Sequence, residues 1–284
     1  MKILVFGKTG QVATELAKIA PEAQFLSRAE ADLANPEACA ALITASNADV
    51  VINAAAFTAV DQAEETPDLA MLINGRAPTA MAKAAAAKGI PLVHISTDYV
   101  FSGEGMQPWQ PNHPTAPQGA YGHSKFTGEK GVQAAGGVHV ILRTSWVVSA
   151  HGQNFVKTML RLAETRPELG IVADQIGGPT PAASIAEAVL KIAKALVAKQ
   201  GPSGTYHLSG APDVSWAGFA REIFKQAGKP VHINEIPSSA YPTPATRPLN
   251  SRLDCQSLQQ DFGIARPDWR AGLAHILSDL KAAP

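Results

Sequence analysis

Short, continuous apolar runs recur along the first half of the chain and are spaced so that a helix fits between neighbours. The runs cover residues 2–6, 24–27, 49–53, 90–96 and 139–143. None alternates apolar with polar residues, which is typical of strands buried on both faces of a parallel sheet. The stretches between them, such as 68–88 and 122–135, have helical patterns and supply the crossovers. The pattern therefore predicts an α/β fold with a doubly wound parallel sheet.

The rhythm changes after residue 146. Pro and Gly become frequent, notably in 177–181, 201–204 and 242–248, and the elements between them shorten. We expect residues 1–146 to form one domain and 147–284 to form mainly a smaller C-terminal α/β lobe. The helical stretch near 184–198 is expected to pack against the sheet of the first domain, so the two domains are not divided at one position in the sequence.

Composition narrows the functional classes. The chain has 284 residues, of which 46% are hydrophobic and 17% charged, and its 24 Lys and Arg balance 24 Asp and Glu. A neutral chain has no global field that would favour nucleic acid or an anionic membrane as a partner. Cys39 and Cys255 are far apart, and no apolar stretch approaches the ~20 residues of a spanning helix. These features lead us to expect a cytoplasmic protein that acts on small molecules.

A glycine-containing turn follows the first predicted strand. Gly7 permits a tight turn, Gly10 lets the backbone approach a pyrophosphate, and Ala13 is small enough for the next helix to lie close to the sheet. An ordinary strand–helix turn is the alternative, because such a pattern alone is weak evidence. Its place at the head of alternating strands and helices favours a Rossmann-type sheet, with 1–146 as the NAD(P)-binding domain and 147–284 as mainly the substrate-binding lobe.

Thr97, Tyr121 and Lys125 form the set of groups that a nicotinamide-dependent carbonyl reductase needs. Tyr121 and Lys125 are four residues apart in a predicted helix, so both side chains lie on one face. A Lys charge at roughly 4 Å would lower a phenol pKa by about three units. We expect Tyr121 to act as the general acid, Thr97 to hydrogen-bond the same carbonyl oxygen and Lys125 to hold the cofactor ribose. A chance Tyr and Lys on a surface helix is the alternative.

Motifs along nearly the whole chain carry a resemblance to a known family. They are GKTGQV from Gly7, NAAAFTAVD from Asn53, STDYVFSG from Ser96, YGHSK from Tyr121, RTSWV from Arg143, NFVKTML from Asn154, DQIGGPT from Asp174, GTYHLSG from Gly204 and RPLNSRL from Arg247. Together they resemble the dTDP-4-dehydrorhamnose reductases, which are extended short-chain dehydrogenase/reductases. The resemblance implies NADPH-dependent reduction of the C4 ketone of dTDP-6-deoxy-L-lyxo-4-hexulose to dTDP-L-rhamnose, the last step of dTDP-L-rhamnose biosynthesis.

The residues and the resemblance together give a set of candidate site residues. Thr97, Tyr121 and Lys125 are the catalytic candidates. The cofactor-binding candidates are Gly7, Thr9, Gly10, Gln11, Val12, Arg28, Asp32, Leu33, Ala54, Ala55, Ala56, Tyr121 and Lys125. The substrate-binding candidates are Thr58, Val60, Asp98, Tyr99, Trp146, Asn154 and Arg247. The chain departs from the family pattern at Ala13, where a third Gly is usual, and at Phe57, where a His is often found.

Two other functions share this fold. One is a non-catalytic dinucleotide-binding regulatory subunit that resembles methionine adenosyltransferase β, which would not need all three catalytic groups. The other is a nucleotide-sugar epimerase or dehydratase, for which the acidic pair expected after Thr97 is only half present, because Tyr99 follows Asp98. We expect a monomer or weak homodimer. Members of the family can dimerise through Mg²⁺, and Glu15 and Glu187 are possible remnants of such a site, but no metal ligand is assigned and Mg²⁺ is not expected to be essential.

Arg28 generates a prediction about cofactor choice. It follows the second predicted strand, where an NAD-specific site normally has an acid, and the acids Glu30 and Asp32 come later. An Arg contact with the 2′-phosphate contributes about 1.5–3 kcal/mol, so NADPH is expected, with NADH possible. Arg28→Ala should lower kcat/KM for NADPH about tenfold or more and leave that for NADH almost unchanged. Equal losses with both cofactors would show that Arg28 does not contact the phosphate.

Overall fold

The computed structural model describes residues 1–282, which form strands and helices over most of their length. The strands are β1 (Ile3–Phe6), β2 (Gln24–Leu26), β3 (Val50–Asn53), β4 (Leu92–Thr97), β5 (His139–Thr144), β6 (Val147–Val148), β7 (Glu168–Val172), β8 (Ile176–Gly177), β9 (Thr180–Pro181), β10 (Gly204–Leu208), β11 (Val214–Ser215), β12 (His232–Ile236) and β13 (Asn250–Ser251). The α-helices are α1 (Gln11–Ile19), α2 (Pro36–Ala45), α3 (Val60–Glu65), α4 (Pro67–Met71), α5 (Ala77–Lys88), α6 (Ala120–Ala134), α7 (Phe155–Leu162), α8 (Ala182–Val197), α9 (Trp216–Ala227), α10 (Gln256–Phe262) and α11 (Trp269–Ala282). A π-helix covers Leu72–Arg76, and short 3-10 helices cover Asp98–Val100 and Ser238–Ala240.

A parallel six-stranded sheet in the order β10-β5-β4-β3-β1-β2 forms the centre of the molecule. The chain runs from β1 outward to β2 and then returns to place β3 on the other side of β1. Ligands of such sheets bind where the strand order reverses, outside the carboxyl ends of the strands. The predicted doubly wound α/β fold is confirmed, and the reversal lies between β1 and β3.

Helices cover both faces of this sheet. One face packs against α1 and α8, with Leu16 and Val189 fully buried, and the other packs against α2, α5 and α6, with Ile43 and Met81 fully buried. Every residue of β1 and β3 is buried, which explains why their sequences do not alternate.

Segments beyond residue 146 also contribute to the central sheet and its core. The strand β10 lies far beyond that residue but pairs with β5 in the central sheet, and α8 and α10 pack on the same core. Tyr206 and Leu208 of β10 are buried against that core, and this long-range burial has no local signal in the sequence. The smaller lobe has its own core, formed mainly by α7, α9, α11, β7 and β12.

Helix α6 lies unusually close to the π-helix. A Cβ atom added at Gly128 would overlap the carbonyl oxygen of Asn74. The buried Asn74 side chain accepts a hydrogen bond from Phe57 N at 2.8 Å and donates to Phe57 O at 3.0 Å and Ser124 Oγ at 3.0 Å. This contact joins α6 to the segment that follows β3, so it fixes the height of α6 relative to the sheet edge.

Substituting Gly128 tests this contact. Gly128→Ala should lower the free energy of unfolding by about 3 kcal/mol, because the added methyl group clashes with backbone atoms and can be accommodated only if the helix shifts. Gly170→Ala in β7 is the matched control, since its Cβ would lie at an ordinary 3.5 Å from Ile236. The control should stay within about 1 kcal/mol of the wild type. Denaturant unfolding measures both; similar values for the two variants would show that the approach of α6 is not tight.

Candidate active site

A cavity of about 700 Å³ opens along the carboxyl ends of the central strands. Of the candidate site residues, all but two line it: Gly7, Thr9, Gly10, Gln11, Val12, Arg28, Asp32, Leu33, Ala54, Ala55, Ala56, Thr58, Val60, Thr97, Asp98, Tyr99, Tyr121, Lys125 and Trp146. Other wall residues were not candidates from the sequence; they include Lys8, Ile73, Gly152 and Gln153. Lys8 had a signal, as a cation inside the glycine turn, whereas Gly152 and Gln153 had none.

The end of the cavity at β1 is shaped for an anion. Gly7 has a φ of 112°, and a Cβ atom there would lie 3.2 Å from the carbonyl carbon of Ala54. Gly10 is the N-cap of α1, and no side chain in the described part of the chain caps the helix, so the backbone N–H groups of its first turn stay available. Free N–H groups and the positive end of the helix dipole suit a pyrophosphate. The residues present therefore fit a dinucleotide cofactor.

Two cations stand near the end of β2. The Arg28 side chain is 79% exposed, and its Nε lies 3.8 Å from Asp32 Oδ1. An exposed pair at this distance holds the guanidinium weakly, so Arg28 is free to turn towards a ligand. Lys8 lines the same part of the cavity.

Lys125 is a buried residue of the cavity wall. Its Nζ donates to Ile95 O at 2.7 Å and lies 3.5 Å from His94 Nε2. Burial lowers the pKa of Lys125 to about 8, although the nearby Glu129 carboxylate acts in the opposite direction. His94, for which the sequence suggested no role, also contacts Asn53 Nδ2 through Nδ1 at 3.1 Å. The ammonium group is thus held in place by strand β4.

Tyr121 lies one turn before Lys125 on α6. Burial raises the pKa of its phenol to about 12, and the neighbouring Asp98 carboxyl acts in the same direction. The expectation that Lys125 would lower this pKa is wrong for this structure, because Nζ is directed to Ile95 O and burial dominates. Tyr121 therefore stays protonated at neutral pH.

Thr97 and Asp98 end strand β4 beside Tyr121. Thr97 Oγ1 lies 3.1 Å from Asp98 Oδ1 and accepts a hydrogen bond from Tyr99 N at 3.2 Å. The Thr97 hydroxyl also lies beside the Tyr121 phenol. Burial raises the pKa of Asp98 to about 6, against the opposing effect of neighbouring hydroxyl groups. The strand end brings a hydroxyl, a phenol and a carboxyl together at one point of the wall.

Aromatic rings form the far end of the cavity. Trp146 has a φ of 48°, a left-handed conformation that a bulky residue rarely adopts. Its ring stacks on Trp216 at a centroid distance of 3.5 Å, and Trp216 Nε1 donates to Gln175 Oε1 at 3.1 Å. Tyr99 packs edge-on against Tyr121 at 5.4 Å. Trp216, which was not a candidate from the sequence, packs on Trp146 from the side of the smaller lobe.

Asn154 and Arg247, two of the substrate-binding candidates, do not line the cavity. Asn154 caps α7 and donates from Nδ2 to Gln11 Oε1 at 3.0 Å and to Ser149 O at 2.8 Å, so its polar atoms are already used within the protein. Arg247 pairs with Asp61 at 2.6 Å. Each lies beside a residue of the cavity wall, Asn154 against Gln11 and Arg247 against Tyr99. Their partners could be seen only in the tertiary structure.

Neither metal ligands nor a spanning helix emerge from the described part of the chain. Residues 1–282 contain no group of three or more His, Cys, Asp or Glu side chains placed to hold a metal ion. Glu15 Oε1 contacts His151 Nε2 at 2.8 Å and Lys18 Nζ at 3.1 Å, and Glu187 is exposed on α8. In the same residues no helix is both long and apolar enough to cross a membrane.

Comparisons with known proteins agree with one another. The family model of the RmlD substrate binding domain matches residues 1–282. The dTDP-4-dehydrorhamnose reductase of Escherichia coli K12 is 42% identical, with 99% of this chain and 98% of the relative covered. The structure of an enzyme of that name from Clostridium acetobutylicum has a TM-score of 0.92 at 37% identity, covering 99% of this chain and 100% of the other.

A second solved structure carries a cofactor. It is the dTDP-4-dehydrorhamnose reductase of Bacillus anthracis in complex with NADP, which is 33% identical, has a TM-score of 0.91, and covers 98% of this chain and 99% of the other. Matches of this extent cover both the sheet and the smaller lobe. The chain belongs to the dTDP-4-dehydrorhamnose reductase family.

Proposed function

We propose that this protein uses NADPH to reduce the C4 ketone of dTDP-6-deoxy-L-lyxo-4-hexulose, giving dTDP-L-rhamnose in the last step of that sugar's biosynthesis. The observation that carries the proposal is the position of Thr97, Tyr121 and Lys125. They line one cavity between an anion-binding glycine turn and an aromatic end. A dinucleotide fits the first end and a nucleotide sugar the second, so the three groups lie where the two ligands meet.

Proton transfer falls to Tyr121 in this proposal. The bound cofactor supplies a hydride to the carbonyl carbon. Because the pKa of Tyr121 is raised to about 12, the phenol is fully protonated at neutral pH yet more acidic than the alcohol that forms. Tyr121 donates its proton as negative charge develops on the carbonyl oxygen, and the Thr97 hydroxyl donates a hydrogen bond to the same oxygen.

Lys125 supports this step from below. With a pKa lowered to about 8, it is still mostly an ammonium at pH 7. Ile95 O takes one of its three N–H donors at 2.7 Å, which leaves donors for the cofactor ribose hydroxyls.

NADPH is the cofactor that the charges around β2 favour. Arg28 and Lys8 line the cavity there. Of the two nearby acids, Asp32 lies 3.8 Å from Arg28, and Glu30 accepts hydrogen bonds from Ser27 N at 2.8 Å and Ser27 Oγ at 2.6 Å. A 2′-phosphate gains from two cations, whereas a 2′-hydroxyl gains from a free carboxylate. The NADP bound to the Bacillus anthracis relative supports the same choice.

Neither alternative function fits the site as well. A dehydratase of this superfamily needs a base next to Asp98, but that position is Tyr99, whose pKa is raised by burial so that it cannot serve as one at neutral pH. Solved epimerase structures resemble this chain at 16–17% identity, which shows the fold alone. A regulatory subunit has no use for a buried phenol and a buried ammonium on one helix face.

Removing the Tyr121 hydroxyl tests the proposal. Tyr121→Phe should lower kcat by about 10²–10⁴, the usual effect of losing a general acid, and leave NADPH binding nearly unchanged. Tyr241→Phe is the matched control, because that side chain is 61% exposed, and it should keep the wild-type rate. The assay follows NADPH oxidation with the keto sugar generated by the two preceding enzymes of the pathway. Turnover by Tyr121→Phe above a third of the wild-type rate would remove Tyr121 from this role.

Chelation tests the proposed independence from metal. A hard cation needs several oxygen ligands, and the Glu15 carboxylate is already occupied by His151 and Lys18. We therefore propose a cytoplasmic monomer or weak homodimer that works without Mg²⁺. Activity and sedimentation in EDTA should equal those in Mg²⁺. A stable dimer that dissociates on chelation, with loss of activity that Mg²⁺ restores, would contradict this.

A further inference from the structure

The Thr97 hydroxyl has one hydrogen to donate but more than one neighbouring acceptor. Its Oγ1 accepts from Tyr99 N at 3.2 Å, lies 3.1 Å from Asp98 Oδ1 and stands beside the Tyr121 phenol. A hydroxyl donates once and accepts up to twice. Thr97 can therefore donate to Asp98 or towards the reacting carbonyl, but not to both. Which of the two it does depends on whether the Asp98 oxygen facing it carries a proton.

Asp98 is buried in a way that favours the protonated form. The residue is 3% exposed, and within residues 1–282 its Oδ2 has no hydrogen-bond partner and neither oxygen takes part in an ion pair. The groups that face it are the hydroxyls of Thr97 and Ser251 and the phenols of Tyr99 and Tyr121. None of these carries a positive charge that would stabilise a carboxylate. Burial accordingly raises the pKa of Asp98 to about 6.

The two protonation states have different consequences at Thr97. As a carboxylic acid, Asp98 donates from Oδ1 to Thr97 Oγ1, and the Thr97 hydrogen is free to point into the cavity. As a carboxylate, Asp98 can only accept, so the Thr97 hydrogen turns towards it and the reacting oxygen loses a donor. An anionic ligand bound near Asp98 favours the first state, because a second negative charge disfavours the carboxylate.

We propose that Asp98 is a positioning residue that must be protonated, so that it donates to Thr97 and thereby aims the Thr97 hydroxyl at the substrate carbonyl oxygen. This inference rests on the proposed reductase function. It replaces the substrate-binding role that the sequence suggested for Asp98. The proton of Asp98 is not consumed in the reaction, since the proton that reaches the product comes from Tyr121.

The pH dependence of Asp98→Asn tests the proposal. An Asn amide can donate from Nδ2 to Thr97 Oγ1 and places an uncharged oxygen on the side of Ser251, so it mimics the acid form at every pH. Between pH 5 and 10, the wild-type kcat at saturating ligands should fall on the alkaline side, tenfold per pH unit above an apparent pKa of about 6 or higher. In Asp98→Asn the fall should begin only near pH 8, where the Lys125 ammonium loses its proton. An identical fall in both proteins, or no fall in the wild type, would overturn the proposal.

A double mutant separates positioning from a merely structural role. If Asp98 acts through Thr97, then Asp98→Asn should leave the pH profile of Thr97→Val unchanged, because the hydroxyl that it orients is gone. A structural role would lower kcat at all pH values and in both backgrounds, and that result would overturn the proposal. NADPH binding, followed by cofactor fluorescence, should stay within about twofold of the wild type in each variant.

Measurements without substrate keep this test independent of the proposed function. The infrared difference spectrum of wild type minus Asp98→Asn should show a carboxylic acid carbonyl band at pH 5 that disappears as pH rises. The pKa of Asp98 is raised from 3.8 in the unfolded chain to about 6 in the folded protein. The stability that Asp98 contributes is therefore fully present below pH 3.8 and is lost as the pH rises through about 6. Asp98→Asn should therefore have the higher Tm at pH 8, and the gap should narrow towards pH 4. No turnover at any pH would refute the reductase function alone, whereas an ionised Asp98 at pH 5 would refute the proposal for Asp98.

Discussion

The close packing of helix α6 against its neighbours is the constraint on which the site depends. Gly128 lets the helix approach the carbonyl oxygen of Asn74, and Gly122 allows a similarly close approach to the carbonyl of Tyr99. With larger residues at these positions, α6 would lie further from the sheet. Tyr121 and Lys125 would then be withdrawn from the end of β4, where Thr97 is fixed. The two glycines therefore set the positions of Tyr121 and Lys125 relative to Thr97.

Burial controls the electrostatics of the site more than pairing does. It raises the pKa values of Asp98 and Tyr121 to about 6 and 12, and it lowers that of Lys125 to about 8. Each shift moves its group towards the neutral form, which is the expected direction when charge is taken out of water. Burial thus makes the neutral form of each of these three side chains easier to reach than it would be in water. The anionic ligands then bind against backbone N–H groups and surface cations at the edge of the cavity.

The smaller lobe contributes by supporting an aromatic wall. Trp146 leaves β5 in a left-handed conformation with a φ of 48°, and its ring lies flat on Trp216 at the start of α9. Gln175 holds the Trp216 indole N–H at 3.1 Å. Strain in the backbone of Trp146 is thus balanced by stacking from an element that begins 70 residues later in the chain. The wall exists only when both parts of the molecule are folded together.

The sequence alone determined the features that depend on local pattern. Continuous apolar runs specified buried parallel strands, the glycine turn specified an anion-binding helix start, and the four-residue spacing of Tyr121 and Lys125 specified a shared helix face. Tertiary structure decided the rest, because burial and long-range partners have no local signal. It placed β10 in the central sheet, directed the ammonium of Lys125 to Ile95 rather than to the phenol, and turned Asn154 inward to cap a helix. Among residues 1–282 it also left the Asp98 carboxyl without a cation, since distances that only the folded chain defines decide which charges face one another.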